Sequence, residues 1–282
     1  MAILPTAPLP GQNEGPSLAP QFEPSYVVFG PWSRHHPDTT LFFEANIAPP
    51  FYISLNRGFA VVLTPKVILR QFAEGSWPVK TPSYMPRVTF YRWWARGEDA
   101  EFLALMFSHH SNGQGGDHRS PQTGELNHEN GNFSTNFVDL TWQRSVRVRG
   151  VESTLRGSVE WHLPGTYDPD EMREYSKLRL YASSGIAVSR PETGRNEWTA
   201  GVLLGYLAGD VSPRFDGLDR FQVWLTLGWA PSRRSDLSLF VNYFRGQDYY
   251  NIYYDQRLSV FRLGFATNRD RARSEIPQQP VF

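Results

Sequence analysis

The feature that most constrains this chain is an alternation of apolar and polar side chains with a period of two, recurring in run after run along most of its 282 residues. It is cleanest where Leu155, Gly157, Val159, Trp161 and Leu163 interleave with Thr154, Arg156, Ser158, Glu160 and His162. Successive side chains of a β-strand point to opposite faces, so each such run has one apolar and one polar face. The same pattern marks Leu41–Ala45, Phe51–Leu55, Phe59–Phe72, Arg87–Ala95, Glu101–Phe107 and Ser134–Trp142. It returns around Lys177–Ala182, Trp198–Tyr206, Phe221–Trp229, Leu237–Tyr243 and Asp255–Phe265, which makes about twelve strands. Pro65 inside the third run predicts a bulge or a break there.

Which side faces outward follows from the aromatics. Apolar faces ending in Trp or Tyr recur all round the chain, whose aromatic content is 15% with nine Trp, as expected of interfacial girdles. No apolar run approaches the roughly 18 to 20 residues a membrane-crossing helix needs. The mean hydropathy of −0.45 suits walls that are apolar outside and polar inside. These features predict an all-β chain, a transmembrane antiparallel β-barrel with Arg156, Glu160, Lys177 and Arg179 in its lumen. The domains expected are a Pro-rich extension over 1–30, the barrel over 31–267 and a polar tail over 268–282. With 28 basic and 28 acidic residues and no basic stripe, nucleic acid is excluded as a partner. Absence of cysteine removes disulfides and thiolate metal sites. Met1-Ala2-Ile3-Leu4-Pro5 lacks the basic start and apolar centre of a targeting segment, as a mature chain would.

Chemistry concentrates after Glu101–Met106, in Phe107-Ser108-His109-His110-Ser111-Asn112-Gly113. Strand parity places His109 and Ser111 on the face of Leu103, Leu105 and Phe107. A serine hydroxyl needs a histidine to take its proton, and the histidine needs a third group to fix its tautomer. Asn136, on the face of Val138, Leu140 and Trp142, shares that parity. A base, a hydroxyl and an amide on an outer apolar wall make sense where the wall faces lipid. A zinc reading of His109, His110, His118 and His128 with Asp117, Glu125 and Glu129 lacks the spacings zinc sites use. His118 and His128 read instead as solvated loop residues, and His162 beside Glu160 as a hydrogen-bonded interior one.

The segment His109-His110-Ser111-Asn112-Gly113 resembles the His-x-Ser-Asn-Gly signature of the outer-membrane phospholipase A family. Ser76-Trp77-Pro78, Tyr84-Met85-Pro86 and Gly246-Gln247 through Tyr253-Tyr254-Asp255-Gln256-Arg257 resemble family segments in the same order, over about residues 38 to 266. The resemblance implies a Gram-negative outer-membrane barrel of twelve strands that hydrolyses acyl esters of membrane phospholipids. It assigns Ser111 as nucleophile, His109 as base and Asn136 as orienting partner, with backbone N–H groups of Ser111 and Gly113 holding the oxyanion. It also implies Ca2+ held by Gln114, by Asn132 and Ser134, and by Ser76 from a second copy in a homodimer. The chain departs from the family at His110, commonly acidic or amide, at Gln114, commonly arginine, and in a longer 114–133 loop. Asn127, Asn130 and Asn132 compete with Asn136 for the orienting role. Two alternatives are a lipid A deacylase-like barrel, with fewer strands and an acidic third residue, and a passive pore.

Overall fold

In the computed structural model the chain forms one antiparallel sheet closed on itself. The structure describes residues 23–34, 41–56, 58–73, 76, 78–96, 99–149, 151–166, 173–190, 195–232 and 237–267. Among these lie β1 (Tyr26–Arg34), β2 (Leu41–Ile47), β3 (Phe51–Asn56), β4 (Phe59–Phe72), β5 (Ser83–Arg96), β6 (Asp99–Ser111) and β7 (Ser134–Val148). They continue with β8 (Val151–His162), β9 (Leu178–Arg190), β10 (Arg195–Ala208), β11 (Phe221–Ser232), β12 (Leu237–Gln247) and β13 (Arg257–Thr267). Each strand from β4 to β13 pairs with its sequence neighbours, and β1 pairs with both β13 and β2. The circle closes where β2 lies on β4.

Thirteen strands make twelve staves. β2 pairs with the Val67–Phe72 half of β4 and β3 with its Phe59–Leu63 half, so these two are one stave interrupted at Ala48-Pro49-Pro50. Two sequence readings compensate in the expected count: Leu41–Ala45 and Phe51–Leu55 were separate strands, whereas β1 lay partly inside the expected extension. The first strand among the described residues starts at Tyr26, within the expected extension. The tail from 268 lies outside the described residues.

No break accompanies Pro65, which sits inside an unbroken β4 opposite Pro86 of β5. Neither proline has an N–H, so the facing pair is a non-hydrogen-bonded one and each ring nitrogen points away from the other. On its far side Pro65 meets the gap between the β2 ladder, which reaches Val67, and the β3 ladder, which starts at Leu63. The missing donor falls where no ladder bond is made.

Outward residues are the exposed large apolar ones. On β10 and β11, Val202, Leu204, Leu225 and Leu227 form the middle of the wall. Tyr206 packs on Phe221 at one rim and Trp198 on Trp229 at the other, an aromatic girdle at each end. Inside, Arg156, Glu160 and Arg179 line the lumen as expected. Lys177 does not belong with them on the strand: β9 begins at Leu178, and the Lys177 carbonyl closes the preceding connection by accepting from His162 N–H.

Long connections gather at one end, and there the lumen is covered. Leu126, Phe133, Tyr175, Tyr250, Ile252, Tyr253 and Tyr254 form one buried cluster with Ile68 of β4. Burial pushes the Tyr250 phenol above its ordinary range, and its hydroxyl donates to the Thr81 carbonyl at 2.8 Å. Beneath the cap, Arg70 of β4 is fully buried between Glu44 and Asp248.

Candidate active site

β6 and β7 are directly paired, with His109 opposite Asn136 and Ser111 opposite Ser134. Side chains directly opposite in an antiparallel pair have Cβ atoms about 4.5–5.5 Å apart, so the register alone sets imidazole beside amide. His109 Nδ1 lies 2.9 Å from Asn136 Oδ1. A carbonyl oxygen only accepts, so this contact places the imidazole proton on Nδ1 and leaves the Nε2 lone pair available as a base. Ser111 follows two residues along β6 on the same face, a strand rise of about 6.7 Å. Below them on β6 come Phe107, Leu105 and Leu103, exposed at 47%, 38% and 41%. The three polar groups therefore stand at the top of the outer apolar wall.

Their depth follows from strand geometry. Ten residues separate Glu101 from Ser111, about 33 Å along the strand, and a tilt of about 40° makes this about 25 Å of height. That is the height of the apolar band of an outer-membrane barrel. In a barrel spanning a bilayer that spacing would set Ser111 at one interface, where glycerolipid ester bonds sit, and Glu101 at the other.

Asn136 is held from behind. Its N–H donates to Thr166 Oγ1 at 3.0 Å, and its carbonyl accepts from Leu163 N–H at 2.8 Å. Of the competing amides, Asn127 is engaged inside the loop, donating from Nδ2 to Asn130 Oδ1 at 2.7 Å and to the Asp117 carbonyl at 3.1 Å.

A motif residue to which the sequence gave no chemical role, Asn112, shapes the turn after Ser111. It is buried, and its Oδ1 accepts from Gln114 N–H at 3.2 Å and from Phe133 N–H at 3.0 Å, while its Nδ2 donates to the Gly131 carbonyl at 2.8 Å. Asn112 N–H donates to the Phe133 carbonyl. Both ends of the 114–133 loop are therefore pinned to one side chain. Gly113, between the pinned residues, is exposed and adopts φ +68°, and a Cβ there would meet the Tyr84 ring at 3.3 Å. The signal was present in the motif itself, since a polar residue with inward parity at the end of a strand must find partners. Asn112→Ala leaves the Gln114 and Phe133 N–H groups and the Gly131 carbonyl without their partner. We expect a loss of about 1–3 kcal/mol in the local stability of this loop, read as faster amide exchange in 112–133.

The loop histidines are ties rather than solvated groups. His118 is buried, with Nδ1 bonded to the Asn132 carbonyl and Nε2 to the Tyr254 hydroxyl, both at 2.9 Å. His128 stacks on Tyr253 and meets Asp255 at 3.0 Å. Among the described residues no group of three or more His, Asp or Glu is placed to hold a metal ion. His110 faces inward, buried edge-on against Phe133, so that departure from the family motif lies on the far side of the sheet from Ser111. His162 is the interior residue expected, bonded to Glu160 and to Thr135 Oγ1, each at 2.9 Å.

The oxygens named for calcium can be tested on their surroundings. Ser134 and Asn132 are exposed at the loop neck beside Gln114, whose side-chain amide is taken by Thr81 Oγ1 at 3.0 Å. The Asn132 carbonyl is already taken by His118. What is left is the Gln114 carbonyl, the Asn132 amide oxygen and the Ser134 hydroxyl, with Ser76 exposed on the β4–β5 connection. All are neutral oxygens, which fit a hard cation, but without a carboxylate they fit only the weak end of its affinity range.

The fold and its apolar outer wall define a twelve-stranded barrel of the outer-membrane type. No protein-family model and no curated protein matches the chain. Among solved structures it is similar to an active-site mutant of outer membrane phospholipase A from Escherichia coli, with TM-score 0.58 and 10% identity over 91% of this chain and 94% of that one. It is also similar to the outer membrane phospholipase of Salmonella typhi, a dimer with bound calcium, with TM-score 0.56 and 12% identity over 88% and 91%. At these identities the likeness is one of fold.

Proposed function

We propose that the chain is an outer-membrane phospholipase A, hydrolysing acyl esters of glycerophospholipids through an acyl-serine intermediate. The observation that carries this is the 2.9 Å His109–Asn136 contact on the outer apolar face, two residues along β6 from Ser111. A phospholipid reaches the wall sideways within the bilayer. Ser111 Oγ attacks the ester carbonyl as His109 Nε2 takes its proton, and Asn136 holds the imidazole plane. N–H groups of Ser111 and Gly113 receive the developing oxyanion. The tetrahedral adduct collapses, the lysophospholipid oxygen leaves with the proton from His109, and water, deprotonated by the same histidine, releases the fatty acid.

Calcium at Gln114, Asn132 and Ser134, completed by Ser76 of a second copy, would supply positive charge near the oxyanion. That arrangement couples activity to dimerisation and keeps a lone barrel silent in an intact bilayer. The donor set predicts a weak site, with activation at about 10⁻⁴–10⁻³ M calcium. The test is fatty-acid release from phospholipid in mixed micelles across a calcium titration and with chelator. Release saturating in that range and abolished by chelator is expected; equal release in chelator would remove calcium from the mechanism. The aromatic cap over the lumen argues against the passive-pore reading.

A further inference from the structure

The connection between β10 and β11 treats two of its apolar side chains in opposite ways. It contains two short 3-10 turns, Pro213–Phe215 and Gly217–Arg220. Phe215 is fully buried, whereas Leu218 is exposed at 84%, the highest value among the large apolar side chains described. Leu218 is not exposed because its turn is loose. At the start of the turn Asp216 Oδ1 accepts from Gly217 N–H at 2.7 Å. At its end Arg220 Nη1 donates to the Gly209 carbonyl at 2.7 Å and to the Leu207 carbonyl at 3.1 Å. Between them Asp219 accepts from both Nη atoms of Arg257 on β13 and pairs with Arg245 Nη2 of β12 at 3.7 Å. Residues on both sides of Leu218 are tied down, so its side chain is held in the open.

The same ties set which way the turn faces. Arg245 is exposed and has the outward parity of Val241 and Tyr243, and Arg257 is exposed with the parity of Ser259 and Phe261. Asp219 reaches both, so Gly217–Arg220 lies on the outer side of the rim rather than over the lumen. Three residues after Leu218 comes Phe221, exposed on the outer wall and packed on Tyr206 in the aromatic girdle of that end. Leu218 therefore continues the outer apolar wall one step past its aromatic edge. An apolar face lying at a membrane interface sinks about 5–10 Å into the boundary of headgroups and acyl chains, which is the reach of one such turn.

We propose that the Gly217–Arg220 turn is a membrane-surface contact, with Leu218 inserted among the lipids of the leaflet on the long-loop side. The occupant is a lipid surface rather than a second copy of the chain, because the position is continuous with the outer wall and its aromatic girdle, where acyl chains begin. β12, which holds the turn through Arg245, lies six staves from β6 in the circle of twelve, so the contact is across the barrel from the candidate triad. Anchoring that side fixes its depth and with it the tilt of the barrel. The assignment is independent of the hydrolase reading and survives its failure.

The chain has no cysteine, so Leu218→Cys in the refolded full chain carries a single nitroxide spin label. In vesicles of phosphatidylethanolamine and phosphatidylglycerol, its collisions with oxygen, which concentrates among acyl chains, are compared with those of a water-soluble nickel chelate. The oxygen-to-nickel ratio at position 218 should approach that of Leu204→Cys on the outer wall and exceed that of Gln122→Cys, at an exposed loop tip, several-fold. Adding Asp219→Ala to the labelled Leu218→Cys chain should bring the ratio down toward the Gln122→Cys value while the folded-barrel mobility on gels is kept. A ratio at 218 equal to that of Gln122→Cys places the turn in water and overturns the proposal. Few collisions with either reagent mean that protein covers the position, as a second copy would, and overturn it too. A ratio that Asp219→Ala leaves unchanged overturns the role given to the arginine clamp.

Discussion

Ser111→Ala is expected to lower calcium-dependent fatty-acid release by about 10⁴-fold or more, with the barrel folded as before. Loss of the nucleophile removes the covalent route altogether, and the remaining groups polarise a carbonyl that nothing on the enzyme attacks. His109→Ala should fall nearly as far, because a serine hydroxyl without a base is a poor nucleophile at neutral pH. Asn136→Ala should lose less: the amide fixes the Nδ1–H tautomer but brings no charge to the imidazolium that forms. The order serine, histidine, asparagine is as informative as the size of the effects. Wild-type release by Ser111→Ala would rule out the triad, and an Asn136→Ala variant as active as the parent would rule out the 2.9 Å contact as part of it. Because these side chains project from the outer wall, none of the three substitutions opens a cavity in the lumen. Folded-barrel mobility on gels should stay unchanged, which separates lost chemistry from lost structure.

The largest expected effect on stability is at Arg70. Its Nε donates to Glu44 at 2.7 Å and its Nη1 to both oxygens of Asp248 at 2.7 Å, and its guanidinium lies over the rings of Tyr249 and Tyr250. Glu44 also accepts from Tyr26, from Tyr249 and from Arg262 Nη1. Two arginines and two carboxylates balance inside the barrel. Arg70→Leu leaves both carboxylates with Arg262 as the one remaining guanidinium of the set, and a buried charge stripped of its partner costs about 3–5 kcal/mol. Asp248 starts the connection that carries Tyr250, Tyr253 and Tyr254, so the aromatic cap should loosen as well. Urea titration of refolded barrels by tryptophan fluorescence measures the loss. The pair Arg70→Leu/Asp248→Leu should recover part of it, since replacing both partners leaves fewer stranded charges than replacing one. A single variant within about 1 kcal/mol of the parent would show that the network does not carry the weight its burial implies.

How far the sequence reaches is visible residue by residue. Parity placed His109, Ser111 and Asn136 on one outer face correctly, because the two-residue repeat of a strand is a local property that needs no knowledge of neighbours. Parity also put Arg156 and Glu160 inside, while Lys177 falls one residue short of β9. It did not give the partners of Asn112, since which polar group staples a loop depends on where the loop returns. His118 and His128 looked solvated for the same reason: their partners Tyr254 and Asp255 lie 136 and 127 residues away. Pro65 looked like a break because the gap between β2 and β3 that accommodates it belongs to another part of the sheet.

By itself, then, the sequence determined an all-β barrel with a lipid-facing wall and the set of residues that can share that wall, because alternation within a strand is enforced by backbone geometry alone. Tertiary structure decided what meets across strands. The β6–β7 register sets His109 against Asn136 rather than against another amide. Closure through β1, β2 and β4 turns thirteen strands into twelve staves, and it joins Arg70 to Asp248 across 178 residues. Register and closure depend on turn lengths, on strand stagger and on charges that must be paired once water is excluded, and no single stretch of the chain contains them.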